Sequence, residues 1–304
     1  MPALVLTPPQ VEIVRQPIRA SIFLEGPAGC GKTTAAVERM LALLSGGFSP
    51  DQLLVLAPQR SLLAPFQARL RESALAPGGL PDLLTVNGLA QRLIELFWPL
   101  VASEAGFALP DQPPTFLTIE TAQYYMAHLV RPLLDQGYFE SVSIDRNRLY
   151  SQILDNLNKA ALAGFPHTEI GERLSAAWKG ESAQRRVYQD VQACADRFRD
   201  YCLGHNLLDF SLQMELLAGT LWQSEPCRTY LTERYSGLIY DNIEEDTPLA
   251  HDLIAGLLPR LDSSMLVMDW DAGYRRYLGA DPEDACRLKL PGAEVRALTG
   301  PLVS

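Results

Sequence analysis

The pattern G-x-x-x-x-G-K-[ST] is matched at every fixed position by Gly26-Pro27-Ala28-Gly29-Cys30-Gly31-Lys32-Thr33. It follows an apolar run, residues 21–25, that is typical of a buried strand. It leads into residues 34–44, where apolar side chains recur at helical spacing. A strand, a glycine loop and a helix in this order are the context of a phosphate-binding loop. We therefore expect Lys32 to reach the β and γ phosphates of a nucleotide, and the Thr33 hydroxyl to hold Mg²⁺.

The composition is that of an ordinary globular protein. The chain has 304 residues, of which 47% are apolar. It contains no run of about 18 apolar residues that would predict a membrane span, and no basic stretch followed by a long apolar one that would predict a signal peptide. Five scattered cysteines without a C-x-x-C pair favour reduced thiols over disulfides or a zinc site. We expect a cytoplasmic protein with no membrane partner, and the four scattered histidines suggest no catalytic or metal role.

The net charge of −10 is unevenly distributed. Residues 1–100 carry 8 basic and 7 acidic side chains, whereas the remainder carries 18 basic and 29 acidic ones. Such a chain lacks the broad basic surface that is typical of nucleic-acid-binding proteins. Any contact with nucleic acid therefore has to use a local groove and base stacking.

The order of the predicted elements indicates an α/β core with a helical insertion. Apolar runs predict strands at residues 21–25, 53–57, 83–86, 238–241 and 265–269. Helical patterns separate the first three, which favours βαβ units and a parallel sheet. Between the third and fourth runs no strand is predicted. Helical apolar stripes occur there instead, at Leu149, Ile153, Leu154, Leu157 and Ala161 and at Val187, Val191, Cys194, Phe198 and Tyr201. We predict a core of residues 1–105 and 206–304, interrupted by a helical subdomain at 106–205.

A phosphate loop needs a carboxylate on a neighbouring strand to hold Mg²⁺ and to orient water. The best candidate is Asp241, where the apolar run 238–241 ends and further carboxylates follow. The alternative is an acidic loop or helix start at the surface, because Asp and Glu are common in the first turn of a helix. The phosphate loop upstream favours the metal role for Asp241.

In combination, these motifs resemble those of the N-terminal, ATP-binding half of UvrD/Rep-type superfamily 1 DNA helicases. The resemblance extends through nearly the whole chain and implies a RecA-like P-loop NTPase core with a helical insertion. Besides the phosphate loop, the similar segments are Leu6-Thr7-Pro8-Pro9-Gln10, residues 53–61, Thr85-Val86-Asn87-Gly88-Leu89-Ala90, Asn206-Leu207-Leu208-Asp209-Phe210, residues 241–248 and residues 267–280. No single short match is decisive except the phosphate loop, and it is the shared order and spacing that indicate the family.

The resemblance implies an ATP site and a contact with single-stranded DNA. Gln10 would pair with N6 and N7 of adenine, and the residues from Gly26 to Thr34 would bind the phosphates. Mg²⁺ would be held by Thr33 and Asp241. The DNA contacts would come from Arg60, Asn87 and Tyr277, whose ring can stack on a base. For Tyr277 a place in the apolar core is the alternative.

Several positions depart from the family pattern. The family's catalytic Glu follows the metal Asp directly, but this chain has Asn242, and an amide does not accept a proton from water at neutral pH. One residue is inserted after it, so Glu244 and Glu245 become the candidate bases, with solvated loop charges as the alternative. The family's γ-phosphate-sensing glutamine aligns with Ala272, and the Asn-Tyr-Arg of its next motif aligns with residues 301–303.

Three functions are compatible with these motifs. The leading hypothesis is a helicase ATP-binding domain that lacks the second motor domain, whose arginine would then come from a partner subunit or from a longer helicase. The alternative is a non-hydrolysing nucleotide-binding or scaffold module in a DNA repair or recombination complex, which Asn242, Ala272 and Val303 favour. A small-molecule kinase with a phosphate loop is the third, and the glutamine motif and the helical insertion argue against it.

Overall fold

The structure is a computed structural model that describes residues 5–73, 79–180, 183–271, 273 and 275–300. The chain divides into two compact units. The first consists of Met1–Leu89 and Arg228–Ser304, and the second of Ala90–Cys227. A six-stranded sheet organises the first unit, whereas the second consists mainly of helices.

The described residues contain eight strands: β1 (Ser21–Gly26), β2 (Leu53–Leu56), β3 (Asp82–Leu84), β4 (Thr115–Phe116), β5 (Leu207–Leu208), β6 (Gly237–Tyr240), β7 (Ser263–Asp269) and β8 (Glu294–Ala297). Six of them form the large sheet in the order β3-β2-β6-β7-β1-β8, and every pairing is parallel. The register places Gly26 at the end of β1 opposite Asp269 at the end of β7. Because parallel strands end at the same edge of a sheet, the loops after β1, β6 and β7 lie side by side.

This sheet confirms the predicted α/β, RecA-like fold class. The five predicted strands are β1, β2, β3, β6 and β7, and their bounds differ from the predicted ones by a few residues. The prediction of no strand between the third and fourth runs is wrong, because β4 and β5 pair in the helical unit. The edge strand β8 was also missed. Its exposed and half-buried residues alternate, so it lacks the apolar run that identifies the central strands.

The described residues also contain twelve α-helices: α1 (Pro8–Val14), α2 (Lys32–Ser45), α3 (Ala64–Glu72), α4 (Val86–Val101), α5 (Ile119–Leu134), α6 (Arg146–Ala163), α7 (Ile170–Ala177), α8 (Ala183–Gly204), α9 (Phe210–Leu216), α10 (Glu225–Arg234), α11 (Pro248–Leu257) and α12 (Pro282–Ala285). A short 3₁₀ turn, Ile243–Glu245, follows β6, and another, Arg60–Leu63, follows β2.

Helix α2 anchors the phosphate loop in the core of the first unit. Its buried face, with Ala36, Met40 and Leu43, packs in one apolar cluster with side chains from β1, β2, β6 and β7. Burial of each large aliphatic side chain contributes roughly 1.5–3 kcal/mol, so the start of α2 is held firmly against the sheet. Arg39 on the same helix is buried and donates to the backbone carbonyls of Val14, Gln16 and Pro17. These hydrogen bonds hold the end of α1 and the segment after it against α2.

The two apolar stripes predicted for the helical unit are confirmed in α6 and α8. Every member is buried except Tyr201, which is half-buried while the adjacent Cys202 is fully buried. Within this unit Arg199 is also buried and pairs with Asp209, Ser211 and Glu215. Asp209 additionally caps α9 by accepting from the backbone of that helix. The Asn206–Phe210 motif therefore stabilises the helical unit.

The helical unit is larger than the predicted insertion at 106–205. It begins at Ala90, because α4 runs without a break from Val86 to Val101 and carries the chain from one unit into the other. It extends to Cys227, because α9 packs against α6 and so belongs with the helices before it. Both predicted boundaries rested on loops and sequence motifs, which do not coincide with these packing boundaries.

Candidate nucleotide-binding site

Two glycines give the loop between β1 and α2 its shape. Gly29 and Gly31 have φ angles of 75° and 84°, a region that non-glycine residues seldom adopt. Gly26 has no room for a side chain, since a Cβ there would lie 2.2 Å from the carbonyl oxygen of Leu298. The loop is thus a wrapped segment whose last residue, Gly31, is the N-cap of α2. The N-terminus of this 14-residue helix faces the loop with its unpaired N–H groups.

Lys32 lies inside this loop and is only 5% exposed. Its Nζ donates to the carbonyl oxygens of Gly26 at 3.0 Å and Pro27 at 2.6 Å. The same ammonium group lies 2.5 Å from Oδ1 of Asp269. The sequence predicted a strand ending at Asp269 but gave this residue no role, although its position opposite Gly26 brings it to the loop.

Asp241 follows β6 directly and is fully buried. Its Oδ1 accepts the Asn242 N–H at 3.1 Å, and the Thr33 side chain lies near the carboxylate. Its Oδ2 is buried with no hydrogen-bond partner. Burial raises the pKa of Asp241 to about 6. The alternative of a surface carboxylate at a helix start is therefore wrong.

The donor set around Asp241 fits Mg²⁺. A hard cation of this kind takes oxygen ligands, commonly one or two carboxylates together with substrate phosphates. Two such oxygens lie at the end of the phosphate loop: the unpartnered Oδ2 of Asp241 and the hydroxyl of Thr33. In the described part of the chain, no group of three or more His, Cys, Asp and Glu side chains is placed to hold a metal by itself.

The turn after Asp241 brings one of the two candidate bases into the buried site. Glu244 is fully buried; its Oε2 accepts the Asp269 N–H at 3.0 Å, and its Oε1 accepts from the Asn242 amide at 3.4 Å. Burial raises the pKa of Glu244 to about 7, with the nearby Asp269 charge adding to the effect. Glu245 is only half-buried and accepts the Gly273 N–H at 3.4 Å. Neither residue is a freely solvated loop charge.

Asn242 shapes this turn. Its φ of 58° lies in the left-handed region, which asparagine tolerates better than most residues. By the resemblance it is expected at the position of the family's catalytic Glu, and its amide contacts Glu244. The extra residue in the segment therefore leaves one carboxylate, Glu244, within reach of the end of β7.

A histidine that the sequence left without a role supports the same turn. His251 on α11 is 1% exposed, with Nε2 2.8 Å from the Ile243 carbonyl oxygen and Nδ1 2.9 Å from Oδ2 of Asp284. No local sequence pattern indicates this contact, because the histidine stands alone and Asp284 lies 33 residues away.

Gln10 lies at the phosphate loop. The side chain is 1% exposed, and its Nε2 donates to the Gly31 carbonyl oxygen at 3.0 Å. Its Oε1 accepts from the backbone N–H and the hydroxyl of Thr7. Both ends of the amide are therefore bonded within the protein, and pairing with adenine requires the Thr7 bonds to be exchanged for bonds to the base.

The three predicted DNA contacts lie in helical segments that follow strands of the large sheet. Arg60 follows β2 and is exposed, while Asn87 follows β3 and has a buried Oδ1 without a hydrogen-bond partner. Tyr277 follows β7 and is 74% exposed, so the alternative that it belongs to the core is wrong. The positions of Ala272 and of residues 301–303 lie outside the described residues.

Comparison with known proteins gives one informative result. No curated protein matches the chain. A family model described as the UvrD/REP helicase N-terminal domain matches residues 6–289. The matched region includes the phosphate loop, Asp241 and the turn that carries Glu244. Family membership implies nucleotide binding and helicase function, with DNA as the substrate class. No helix in the described part of the chain is long and apolar enough to cross a bilayer. The chain belongs to the UvrD/REP helicase N-terminal domain family.

Proposed function

We propose that this chain is the nucleotide-binding motor unit of a UvrD-like helicase, with Mg-ATP as its ligand. The observation that carries the proposal is the unpartnered, buried Oδ2 of Asp241 beside Thr33, at the end of a complete phosphate loop. Residues from Gly26 to Thr34 bind the phosphates, and Lys32 exchanges its loop carbonyls for phosphate oxygens. Bound Mg²⁺ neutralises phosphate charge during transfer to water.

We propose a base for hydrolysis that differs from the family pattern. Glu244 is the stronger candidate, because its raised pKa of about 7 suits a group that takes up a proton near neutral pH. Glu245 is the second candidate and is the more exposed of the two. Asn242 replaces the usual base and positions Glu244 instead. Full turnover also needs an arginine at the γ-phosphate, which we assign to a second motor domain or a partner subunit.

Calorimetric titration with Mg-ATP tests the binding assignment. Removal of the Lys32 ammonium in Lys32→Ala removes a charge-assisted contact worth about 1.5–3 kcal/mol, so the affinity should fall roughly ten- to a hundredfold. Lys159→Ala removes an exposed lysine with the same charge and serves as the control. Equal affinity of Lys32→Ala and the wild type would refute the site.

The second candidate function is a nucleotide-binding or scaffold module that does not hydrolyse ATP, and Asn242 favours it. ATP turnover with single-stranded DNA separates the two, because slow turnover that Lys32→Ala abolishes supports the motor unit, whereas a signal that Lys32→Ala leaves unchanged supports the scaffold module. Where no second motor domain supplies an arginine, this turnover should be slow, since such arginines contribute ~10³–10⁵ in rate. Rapid, DNA-stimulated turnover that Lys32→Ala abolishes would refute both the assigned need for a second motor domain and the scaffold function.

Single-stranded DNA is the proposed nucleic-acid partner, through Arg60, Asn87 and Tyr277. The exposed ring of Tyr277 supports stacking, which contributes about 1–3 kcal/mol per base. The acidic chain predicts weak binding that declines with salt. In fluorescence anisotropy with a labelled oligonucleotide, Tyr277→Ala should weaken binding at least fivefold relative to Tyr124→Ala, which removes another exposed tyrosine.

A further inference from the structure

Two carboxylates at the end of β7 and just after it, those of Asp269 and Asp271, contact the donor groups of the phosphate loop. Oδ1 of Asp269 lies 2.5 Å from the Lys32 ammonium, and Oδ1 of Asp271 accepts the Ala28 N–H at 3.1 Å. Between them, the Trp270 N–H donates to the Gly26 carbonyl oxygen at 3.0 Å. The segment from Asp269 to Asp271 is therefore bonded along the phosphate loop. Its two carboxylates place negative charge at the hydrogen-bond donors of that loop.

These donors are the groups that a nucleotide needs. Backbone N–H groups of a phosphate loop cradle phosphate oxygens, and its lysine reaches the β and γ phosphates. A carboxylate bonded to that lysine lies at the terminal-phosphate end of the site. The carboxylate of Asp271, two residues later, is bonded to the loop backbone. It adds a negative charge near the position of the phosphates, which are also negative. Like charges brought together in a binding site oppose association.

We propose that Asp271 is a specificity-determining residue that weakens binding of the nucleoside triphosphate relative to the diphosphate. This inference rests on the proposed nucleotide site. The Asp271 carboxylate competes with the terminal phosphate for the Ala28 N–H and repels its charge. A diphosphate lacks that last group and meets less of this repulsion.

Asp271 and Asp269 differ in how far they are tied into the fold. Asp269 is the last residue of β7, and its side chain is only 17% exposed. Its backbone N–H donates to Glu244. Asp271 is exposed, and its carboxylate contacts the loop from the solvent side. Substitution of Asp271 therefore changes charge at the loop without opening the buried site. Asp271→Asn removes the charge and keeps an acceptor oxygen, whereas Asp271→Ala removes both.

The test measures dissociation constants for Mg-ADP and Mg-ATP by calorimetry at fixed ionic strength. Both Asp271 variants should raise the ATP-to-ADP affinity ratio about fivefold, with ADP affinity changed less than twofold. Asp262→Asn, an exposed aspartate of the same unit outside the site, should leave the ratio unchanged. The increase in ratio should shrink as salt is raised, because salt screens exposed charges.

Three outcomes overturn the inference. An unchanged ratio removes Asp271 from specificity, and an equal loss of both affinities makes Asp271 a structural support of the loop. If neither the wild type nor any variant binds a nucleotide, the proposed function fails and this inference fails with it. If only the Asp271 variants bind ATP, competition by Asp271 is supported and is strong enough to mask the site in the wild type.

Discussion

Nε2 of His251 lies 2.8 Å from the carbonyl oxygen of Ile243, the first residue of the turn that carries Glu244. The other ring nitrogen lies 2.9 Å from Asp284 at α12. Each ring nitrogen thus faces an oxygen acceptor at hydrogen-bond distance. His251 therefore links α11 and α12 to the proposed catalytic turn through buried contacts.

Replacement of His251 should destabilise the protein. His251→Leu leaves the Ile243 carbonyl and the Asp284 carboxylate without their buried partner, which should lower the free energy of unfolding by about 2–4 kcal/mol. Urea denaturation at pH 7 measures this loss. The control, His128→Leu, changes an exposed histidine and should stay within about 0.5 kcal/mol of the wild type. A comparably small effect of His251→Leu would show that the link carries little stability.

Glu244 should make stability depend on pH. Its folded pKa of about 7 is above the ordinary 4.5, so between these values the folded chain binds more protons than the unfolded chain. The contribution of Glu244 to stability is therefore greatest below pH 4.5 and falls as pH rises to about 7. In urea denaturation, the free energy of unfolding of the wild type should fall by about 2–3 kcal/mol from pH 5 to 8, relative to that of Glu244→Gln. Glu245→Gln should keep the wild-type slope, and a wild-type slope in Glu244→Gln would contradict the assignment.

Gln10 should determine the preference for adenine. If it exchanges its Thr7 bonds for the adenine edge, ATP should bind at least fivefold more tightly than GTP, which presents the wrong donor pattern. Gln10→Ala should remove this preference in a competition assay. The matched control is Gln223→Ala, which changes an exposed glutamine in the turn before α10. If Gln10→Ala still prefers ATP over GTP, Gln10 does not recognise the base and its role is restricted to the hydrogen bond with Gly31.

The sequence predicted those parts of the fold that have a local pattern. The central strands are apolar runs, and the phosphate loop is defined by glycines and a lysine at fixed spacing, so both could be found without tertiary information. The half-exposed strand β8 has no such run. The contacts of Asp269 with Lys32 and of His251 with Asp284 join residues far apart in the chain. Only strand register and helix packing bring these pairs together.

In the proposed function, Asp241 and Thr33 complete a magnesium-nucleotide site at the phosphate loop. The most direct measurement is the ATP affinity of the wild type and Asp241→Asn, by calorimetry with Mg²⁺ and with Mg²⁺ chelated. Asp262→Asn serves as the control for charge. We expect Mg²⁺ to tighten ATP binding by about tenfold or more in the wild type and the control, and to have little effect in Asp241→Asn. Equal enhancement by Mg²⁺ in all three proteins, or none in the wild type, would contradict it.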